Sequence, residues 1–227
     1  MLNVKSTMID QLLGIVAPHH CYGCQKSGYV LCENCKYDIV DEAIDACLVC
    51  RVPTPNGICS NHKTTYQKAW CVGDRIDSLQ RLIDAYKFER VRGAADSLAF
   101  LLNERLPVLP ANTVIVPVPT IHRHVRQRGY DHTLLIAKQL AKLRGLTAKQ
   151  LILRRDKIAQ RGLTRQQRFG HAESAYYCLQ DLDQTPYLIV DDIVTTNATL
   201  KYCAQTLRDA GADTVWVGVV ARQELKK

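Results

Sequence analysis

Long apolar segments are missing from this chain. None of its 227 residues lies in a run of 18 apolar residues, which excludes a hydrophobic membrane-spanning helix. Residues 1–18 lack the basic start, long apolar middle and small-residue cleavage site of a secretion signal. We therefore expect a cytoplasmic protein. Because thiols stay reduced inside cells, its cysteines are expected to serve a metal or chemistry rather than disulfides.

Acidic and aromatic residues are scarce in one part of the chain. The whole sequence carries 30 Lys and Arg against 22 Asp and Glu, a formal charge of +8, yet residues 121–171 alone contain 13 basic residues and two acids. Within residues 113–171 the only Phe, Tyr or Trp residues are Tyr130 and Phe169. This pattern favours a surface that follows a polyanion backbone without reading bases. A solvated basic face with no partner is the alternative.

Cysteine, by contrast, is abundant and regularly spaced. Seven cysteines and one histidine form four pairs, each with two residues between its members. Two such pairs supply the four ligands of tetrahedral zinc, and histidine is as acceptable as thiolate. We predict two structural zinc sites separated by a helix at residues 36–46. Crossed pairing stays open, and disulfides or a redox pair are the alternative. The predicted ligands are Cys21, Cys24, Cys32 and Cys35 in one site and Cys47, Cys50, Cys59 and His62 in the other.

From residue 69 onward, short apolar runs alternate with helical patterns. This alternation predicts an α/β fold in which helices cover both faces of a parallel sheet. Ligands of such sheets bind beyond the carboxyl ends of the strands. We predict a lead helix at 1–17, a zinc-binding module at 18–68 and the α/β domain at 69–227. The predicted strands are 69–75, 113–119, 151–153, 175–179, 187–190 and 214–221, and the predicted helices are 76–89, 94–106, 131–144 and 198–210.

The strongest chemical signal lies at residues 188–200. An apolar run ends in Asp191 and Asp192, and a turn rich in hydroxyls, from Thr195, Thr196 and Thr199, then opens a helix. Adjacent carboxylates can accept hydrogen bonds from ribose hydroxyls or hold hydrated magnesium. Backbone N–H groups at a helix start, together with hydroxyls, can bind a phosphate. The segment therefore predicts a site for a ribose 5-phosphate.

This segment resembles the phosphoribosyl-pyrophosphate signature of type I phosphoribosyltransferases. It departs at Asn197, where that family usually has glycine; asparagine tolerates a left-handed backbone, so we expect the loop to persist with altered phosphate geometry. The whole chain resembles the ComF/GntX family of competence proteins, which have a phosphoribosyltransferase-like domain and an N-terminal zinc finger. The resemblance is carried by the Cys pairs, the acid-pair segment, residues 86–88 (Tyr-Lys-Phe), 117–119, 128–132 and the basic loop near 160–168.

The resemblance implies a ligand, cofactors and partners. Asp191 and Asp192 would contact ribose, Arg128 would lie nearest the diphosphate, and a loop at 157–168 would close over the site. Phosphoribosyl pyrophosphate would bind with Mg²⁺, and single-stranded DNA and other competence or recombination proteins are the implied partners. The 5-phosphate would be bound by Thr195, Thr196, Asn197, Ala198 and Thr199. The arginines expected to contact DNA are Arg123, Arg126, Arg161, Arg165 and Arg168.

Three functions remain open at this point. The chain is a handler of incoming single-stranded DNA, an active phosphoribosyltransferase with an unknown acceptor, or a sensor that binds phosphoribosyl pyrophosphate without turnover. The acid pair and the threonine turn favour ligand binding in the last two, whereas the basic stretch favours the first. No residue stands out as a general base.

Overall fold

The structure, a computed structural model, describes residues 20–154 and 175–223. The predicted lead helix at 1–17 and three of the predicted DNA contacts, Arg161, Arg165 and Arg168, lie outside these residues. In chain order the elements are α1 (Glu33–Asp41), β1 (Lys68–Asp74), α2 (Asp77–Phe88), α3 (Ala94–Arg105), β2 (Val114–Pro117), α4 (His122–Arg128), α5 (His132–Arg144), β3 (Thr147–Ala148), β4 (Ile152–Arg154), β5 (Tyr176–Cys178), β6 (Tyr187–Val194), α6 (Ala198–Asp209) and β7 (Val215–Arg222).

A five-stranded sheet forms the centre of the fold. Its strand order is β1-β7-β6-β2-β3, and every neighbouring pair is parallel. Successive side chains of a strand point to opposite faces, so the apolar run of β6 supplies two cores. Leu188 and Val190 face α2, α3 and α5, and Ile189 faces α6 and β4. The predicted α/β class, a parallel sheet with helices on both faces, is confirmed. The face that carries α2, α3 and α5 is called the first face below, and the other the second face.

Several elements differ from expectation. β4 and β5 form a separate antiparallel ribbon outside the main sheet. α4 has no buried residue, so it carries no apolar periodicity that could have predicted it. β6 continues to Val194, because its pairing with β7 extends from Asp191 opposite Val219 to Val194 opposite Arg222. The helix expected at 36–46 begins earlier, at Glu33.

The Cys-rich part packs directly against the sheet domain. Cys21, Leu31 and Cys35 join the core of the first face, whereas Leu48 and Tyr66 join the core of the second. The two Cys-rich units therefore share their apolar contacts with opposite faces of one sheet. Within residues 20–154 and 175–223 no helix is long and apolar enough to cross a membrane.

Candidate functional site

Two groups of four side chains can each hold a metal ion. Within each group all ligand atoms lie within 4.8 Å of one another. The Cys24 and Cys32 sulfurs are 3.6 Å apart, and the Cys50 and Cys59 sulfurs are 3.5 Å apart. Tetrahedral zinc with bonds of about 2.0–2.3 Å places its ligands roughly 3.3–3.8 Å apart, so both groups fit this ion. The groups correspond to sequential pairing: Cys21, Cys24, Cys32 and Cys35, then Cys47, Cys50, Cys59 and His62.

The backbone around the two groups repeats. Gln25 directly follows Cys24, and Arg51 directly follows Cys50. Both residues have a φ of 65°. In each unit the N–H of the first cysteine donates over 2.9 Å to the carbonyl five residues later. Burial raises the pKa of Cys21, but backbone N–H donors at Cys32, Cys24 and Gly23 outweigh it and lower that pKa to about 6. The thiolate is therefore favoured at Cys21, whereas burial and the neighbouring cysteines raise the pKa of Cys35.

Gly23 is required by close approach in the first group. A Cβ at this position would lie 2.5 Å from Cys35 Sγ, well inside van der Waals contact. Any other residue would push the ligands apart, so the turn of the first Cys pair needs a glycine here.

Asp192 is the centre of an ion-pair network on the first face. Its Oδ2 lies 2.8 Å from Lys87 Nζ and 2.8 Å from His132 Nε2. On the other side of the imidazole, Arg128 Nη1 lies 2.9 Å from His132 Nδ1. A guanidinium can only donate, so His132 Nδ1 accepts and Nε2 carries the proton that is donated to Asp192. Arg128 thus reaches the buried carboxylate through His132.

This network determines the charge of Asp192. Burial alone raises the pKa of the carboxyl, but Lys87 and His132 more than offset it and hold the pKa below its ordinary value. Asp192 is therefore an anion even though its side chain is only 4% exposed.

Two tyrosines hold the network in position. The Tyr86 hydroxyl donates to the His132 carbonyl over 2.8 Å, and the Tyr130 hydroxyl donates to the Tyr86 carbonyl. The two rings stack at an angle, with centroids 5.3 Å apart. Because Tyr86 is fully buried, the Lys87 side chain next to it is presented from a rigid position on α2.

Asp191 points the other way. It lies on the second face, near Tyr176 and Cys203. Burial, and then the charge of Asp192, raise the pKa of Asp191. The two acids were expected side by side at the end of a strand; they instead lie within β6, on opposite faces, and are only 8% and 3% exposed. The alternation of side chains along an extended strand explains this separation.

The turn after β6 is open, as the phosphate-binding expectation requires. Thr195 and Thr196 are exposed, and Thr199 is half-buried in the first turn of α6. Asn197 adopts φ 62°, the left-handed conformation that its replacement of glycine demands. Its Oδ1 accepts a hydrogen bond of 2.9 Å from the Tyr66 hydroxyl. Ala198 is exposed and begins α6, so the first N–H groups of a 12-residue helix face this turn.

Basic side chains divide into two groups with different roles. Arg123 and Arg126 are exposed on α4, which contains no acid. Arg144, in contrast, is used by the fold, since it donates to carbonyls and a side chain at the end of α3, at Asn103, Leu106 and Pro107. The surplus of positive charge available to a ligand is therefore smaller than the sequence count implies.

Three segments far apart in sequence meet at this site. They are the end of α2 with Lys87, the start of α5 with His132, and β6 with Asp192. On the second face, Tyr176 at the start of β5 lies beside Thr199 and Asp191. Arg128 joins the three segments through its contact with His132. Lys87 and His132 lie in the segments that carried the family resemblance, but no sequence signal paired them with Asp192.

Curated proteins similar to this chain carry names from DNA uptake and use. Competence protein F of Haemophilus influenzae is 28% identical over 215 residues, covering 89% of this chain and 90% of that protein. DNA utilization protein YhgH of Salmonella typhi is 28% identical over 225 residues, covering 92% and 99%. The Escherichia coli K12 protein of the same name is 29% identical over 191 residues, covering 78% and 83%. No protein-family model matches the chain.

Two solved structures match part of the chain. The allosteric regulatory enzyme of purine biosynthesis matches with a TM-score of 0.43 and 18% identity, over 57% of this chain and 26% of that one. Glutamine phosphoribosylpyrophosphate amidotransferase from B. subtilis matches with a TM-score of 0.41 and 16% identity, over 56% and 26%. The match thus spans about a quarter of each of these chains. The similarity to the curated relatives, competence protein F and DNA utilization protein YhgH, extends over most of the sequence.

Proposed function

We propose that this protein handles incoming single-stranded DNA in the cytoplasm during natural transformation, and that its α/β domain binds phosphoribosyl pyrophosphate with Mg²⁺. The names of the relatives support the first part. The second part is carried by one observation: Lys87, Arg128 and His132 gather around Asp192, the acid three residues before the exposed turn at the start of α6.

The residues of the site have chemically distinct roles in this proposal. The hydroxyls of Thr195 and Thr196 and the first N–H groups of α6 bind the 5-phosphate, because a helix start attracts an anion. Arg128 and Lys87 supply positive charge to the diphosphate. Asp192 supplies acceptor oxygens for a ribose hydroxyl once the diphosphate competes for Lys87. Orientation and electrostatics are then the contribution of the protein.

The turn is tested by removing its hydroxyls. We expect Thr195→Val with Thr196→Val to weaken binding of phosphoribosyl pyrophosphate and Mg²⁺ at least tenfold in calorimetry. A hydrogen bond to a charged group contributes about 1.5–3 kcal/mol, and tenfold corresponds to about 1.4 kcal/mol. Thr147→Val is the matched control, since Thr147 is exposed on the edge strand β3. Equal affinity in the turn variant would remove the turn from the site.

Turnover distinguishes a binding protein from an enzyme. The same preparation is incubated with phosphoribosyl pyrophosphate, Mg²⁺ and a panel of bases and amines, and released pyrophosphate is measured. Release that depends on one acceptor would favour a phosphoribosyltransferase. Binding without release across the panel would favour a DNA-handling protein or a sensor.

The DNA part of the proposal is supported by α4. Its sequence His-Arg-His-Val-Arg-Gln-Arg has three arginines and no acid. The exposed Arg123 and Arg126 are available to phosphates, and their guanidinium groups suit phosphate geometry.

Salt dependence tests this surface. We expect Arg123→Ala with Arg126→Ala to weaken oligonucleotide binding at every sequence, because backbone contacts carry no base information. The slope of log K against log salt should become less steep by about 1.4, or about 0.7 for each lost phosphate contact. Lys63→Ala with Lys68→Ala is the control of equal charge, because both lysines are exposed and Lys68 begins β1 at the opposite edge of the sheet. A slope that stays the same in the arginine variant would mean a solvated basic face.

A further inference from the structure

Phe88 is a large apolar side chain with no place in either core. It ends α2, and its side chain is 69% exposed, although Ile83 and Tyr86 of the same helix are fully buried. Keeping an aromatic ring in water opposes the tendency of such rings to be buried. The chain has three phenylalanines; Phe100 packs edge-on against Tyr37, and Phe169 lies outside the described residues. Phe88 therefore does not stabilise the fold through burial.

The position of Phe88 is fixed relative to α4. The guanidinium carbon of Arg128 lies 5.9 Å from the centroid of the Phe88 ring. Arg90, two residues after Phe88, donates to the Gln127 carbonyl of α4 over 3.0 Å. Arg128 is in turn held by His132. The exposed ring thus lies beside the last turn of α4, next to Arg128, and the same helix exposes Arg123 and Arg126.

We propose that Phe88 is a stacking platform for a nucleobase of single-stranded DNA whose phosphates contact α4. This inference rests on the proposed DNA-handling function. A single strand offers unpaired bases with free π faces beside its phosphates, whereas the bases of a duplex are stacked on one another. Aromatic stacking together with a positively charged surface is the arrangement by which single strands are bound without sequence preference.

Stacking on Phe88 adds base contacts to the backbone contacts that the sequence leads one to expect. Within residues 113–171, Tyr130 and Phe169 are the only Phe, Tyr or Trp side chains that a base could stack on. Tyr130 is only 7% exposed and its hydroxyl is bonded to the Tyr86 carbonyl, so it is not free to stack on a base. The fold brings Phe88 to the same surface from α2, and the contact includes bases as well as backbone.

Oligonucleotides with and without bases test the platform. Binding of a thymidine oligonucleotide and of an abasic strand of equal length is measured by fluorescence anisotropy at low salt. We expect Phe88→Ala to weaken binding of the thymidine strand about tenfold and to leave the abasic strand unchanged, while Phe88→Trp restores binding. Tyr37→Ala is the aromatic control, because Tyr37 is half-exposed on α1 and contacts Phe100 instead of α4. Unchanged melting temperatures would confirm that the Phe88 variants fold.

The remaining outcomes separate this proposal from the one on which it rests. If the wild type binds neither strand, DNA handling fails and the platform fails with it. If Arg123→Ala with Arg126→Ala weakens binding but Phe88→Ala does not, only the platform is overturned. A loss shared equally by the two strands would also overturn it, since stacking requires a base. Binding of free thymine and adenine is measured as well. If Phe88→Ala weakens binding of these free bases but not of the oligonucleotides, the ring belongs to a site for a small-molecule base instead of DNA.

Discussion

Replacing Cys35 by serine is expected to remove one of two zinc ions and to destabilise the whole chain. Cys35 is a ligand of the first metal group and also part of the core that contains α2 and α3. Structural zinc contributes about 10–16 kcal/mol of apparent binding free energy in zinc-finger peptides. This is as large as the free energy of unfolding of a typical domain, about 5–15 kcal/mol. Elemental analysis should give two zinc ions per wild-type chain and one for Cys35→Ser, with a large fall in melting temperature.

A cysteine outside both groups provides the control. Cys178 lies on β5, half-buried, and belongs to neither group. Cys178→Ser should keep two zinc ions and change the melting temperature by a small amount. Two ions retained by Cys35→Ser, or one ion in the wild type, would contradict the ligand assignment.

The two adjacent acids are expected to have opposite effects on stability. Asp192→Asn leaves Lys87 without its carboxylate partner in a site where the side chains are 13% and 4% exposed. Breaking a buried pair costs about 3–5 kcal/mol, which for a chain of this size lowers the melting temperature by about 6–20 °C. Thermal unfolding at pH 7 measures the loss. Lys87→Met in the Asp192→Asn background should recover part of it, because the unpaired ammonium is then removed.

The pH dependence of this loss has a definite sign. Because the pKa of Asp192 is held below its ordinary value, the folded state binds fewer protons than the unfolded state. The stabilisation is complete above the unfolded pKa of about 3.9 and disappears as the pH falls. The difference between Asp192→Asn and the wild type should therefore shrink in acid.

Asp191→Asn is the matched comparison, one residue away. Burial and the neighbouring charge raise the pKa of Asp191, so the folded state binds more protons and stability falls as the pH rises above about 4. Asparagine removes this cost, and we expect a gain of about 3–6 °C, the value of one pKa unit. The gain should increase from pH 5 to pH 8. Equal falls in melting temperature for Asp191→Asn and Asp192→Asn would contradict the different surroundings assigned to the two acids.

Local patterns were enough to predict the metal groups and four of the five strands of the sheet, but not the two-residue strand β3. The ligands of each metal group lie close in sequence, so their spacing alone brings them together. The strands that form the sheet are apolar runs, and the two acids could be identified from the residues around them. The two basic residues that surround Asp192, Lys87 and His132, come from α2 and α5, and only the topology of the sheet reveals that these helices lie beside β6.

Other features had no local signal. α4 lacks a buried side, so periodicity could not indicate a helix there. The opposite orientations of Asp191 and Asp192 depend on β6 continuing past them, which is determined by the length of its neighbour β7. The exposure of Phe88 could not be predicted either, because a phenylalanine at the end of an amphipathic helix is usually part of the core.

The hydrogen bond between Tyr66 and Asn197 makes the unusual residue of the turn hard to replace. Glycine would adopt the left-handed backbone with less strain, but it has no oxygen to accept the Tyr66 proton. A buried hydroxyl would then lose its acceptor, at a cost of about 1–3 kcal/mol. Placing glycine at this position is thus not a simple substitution in this protein. It calls for a second change in the segment that leads from the second metal group into β1, such as Tyr66→Phe.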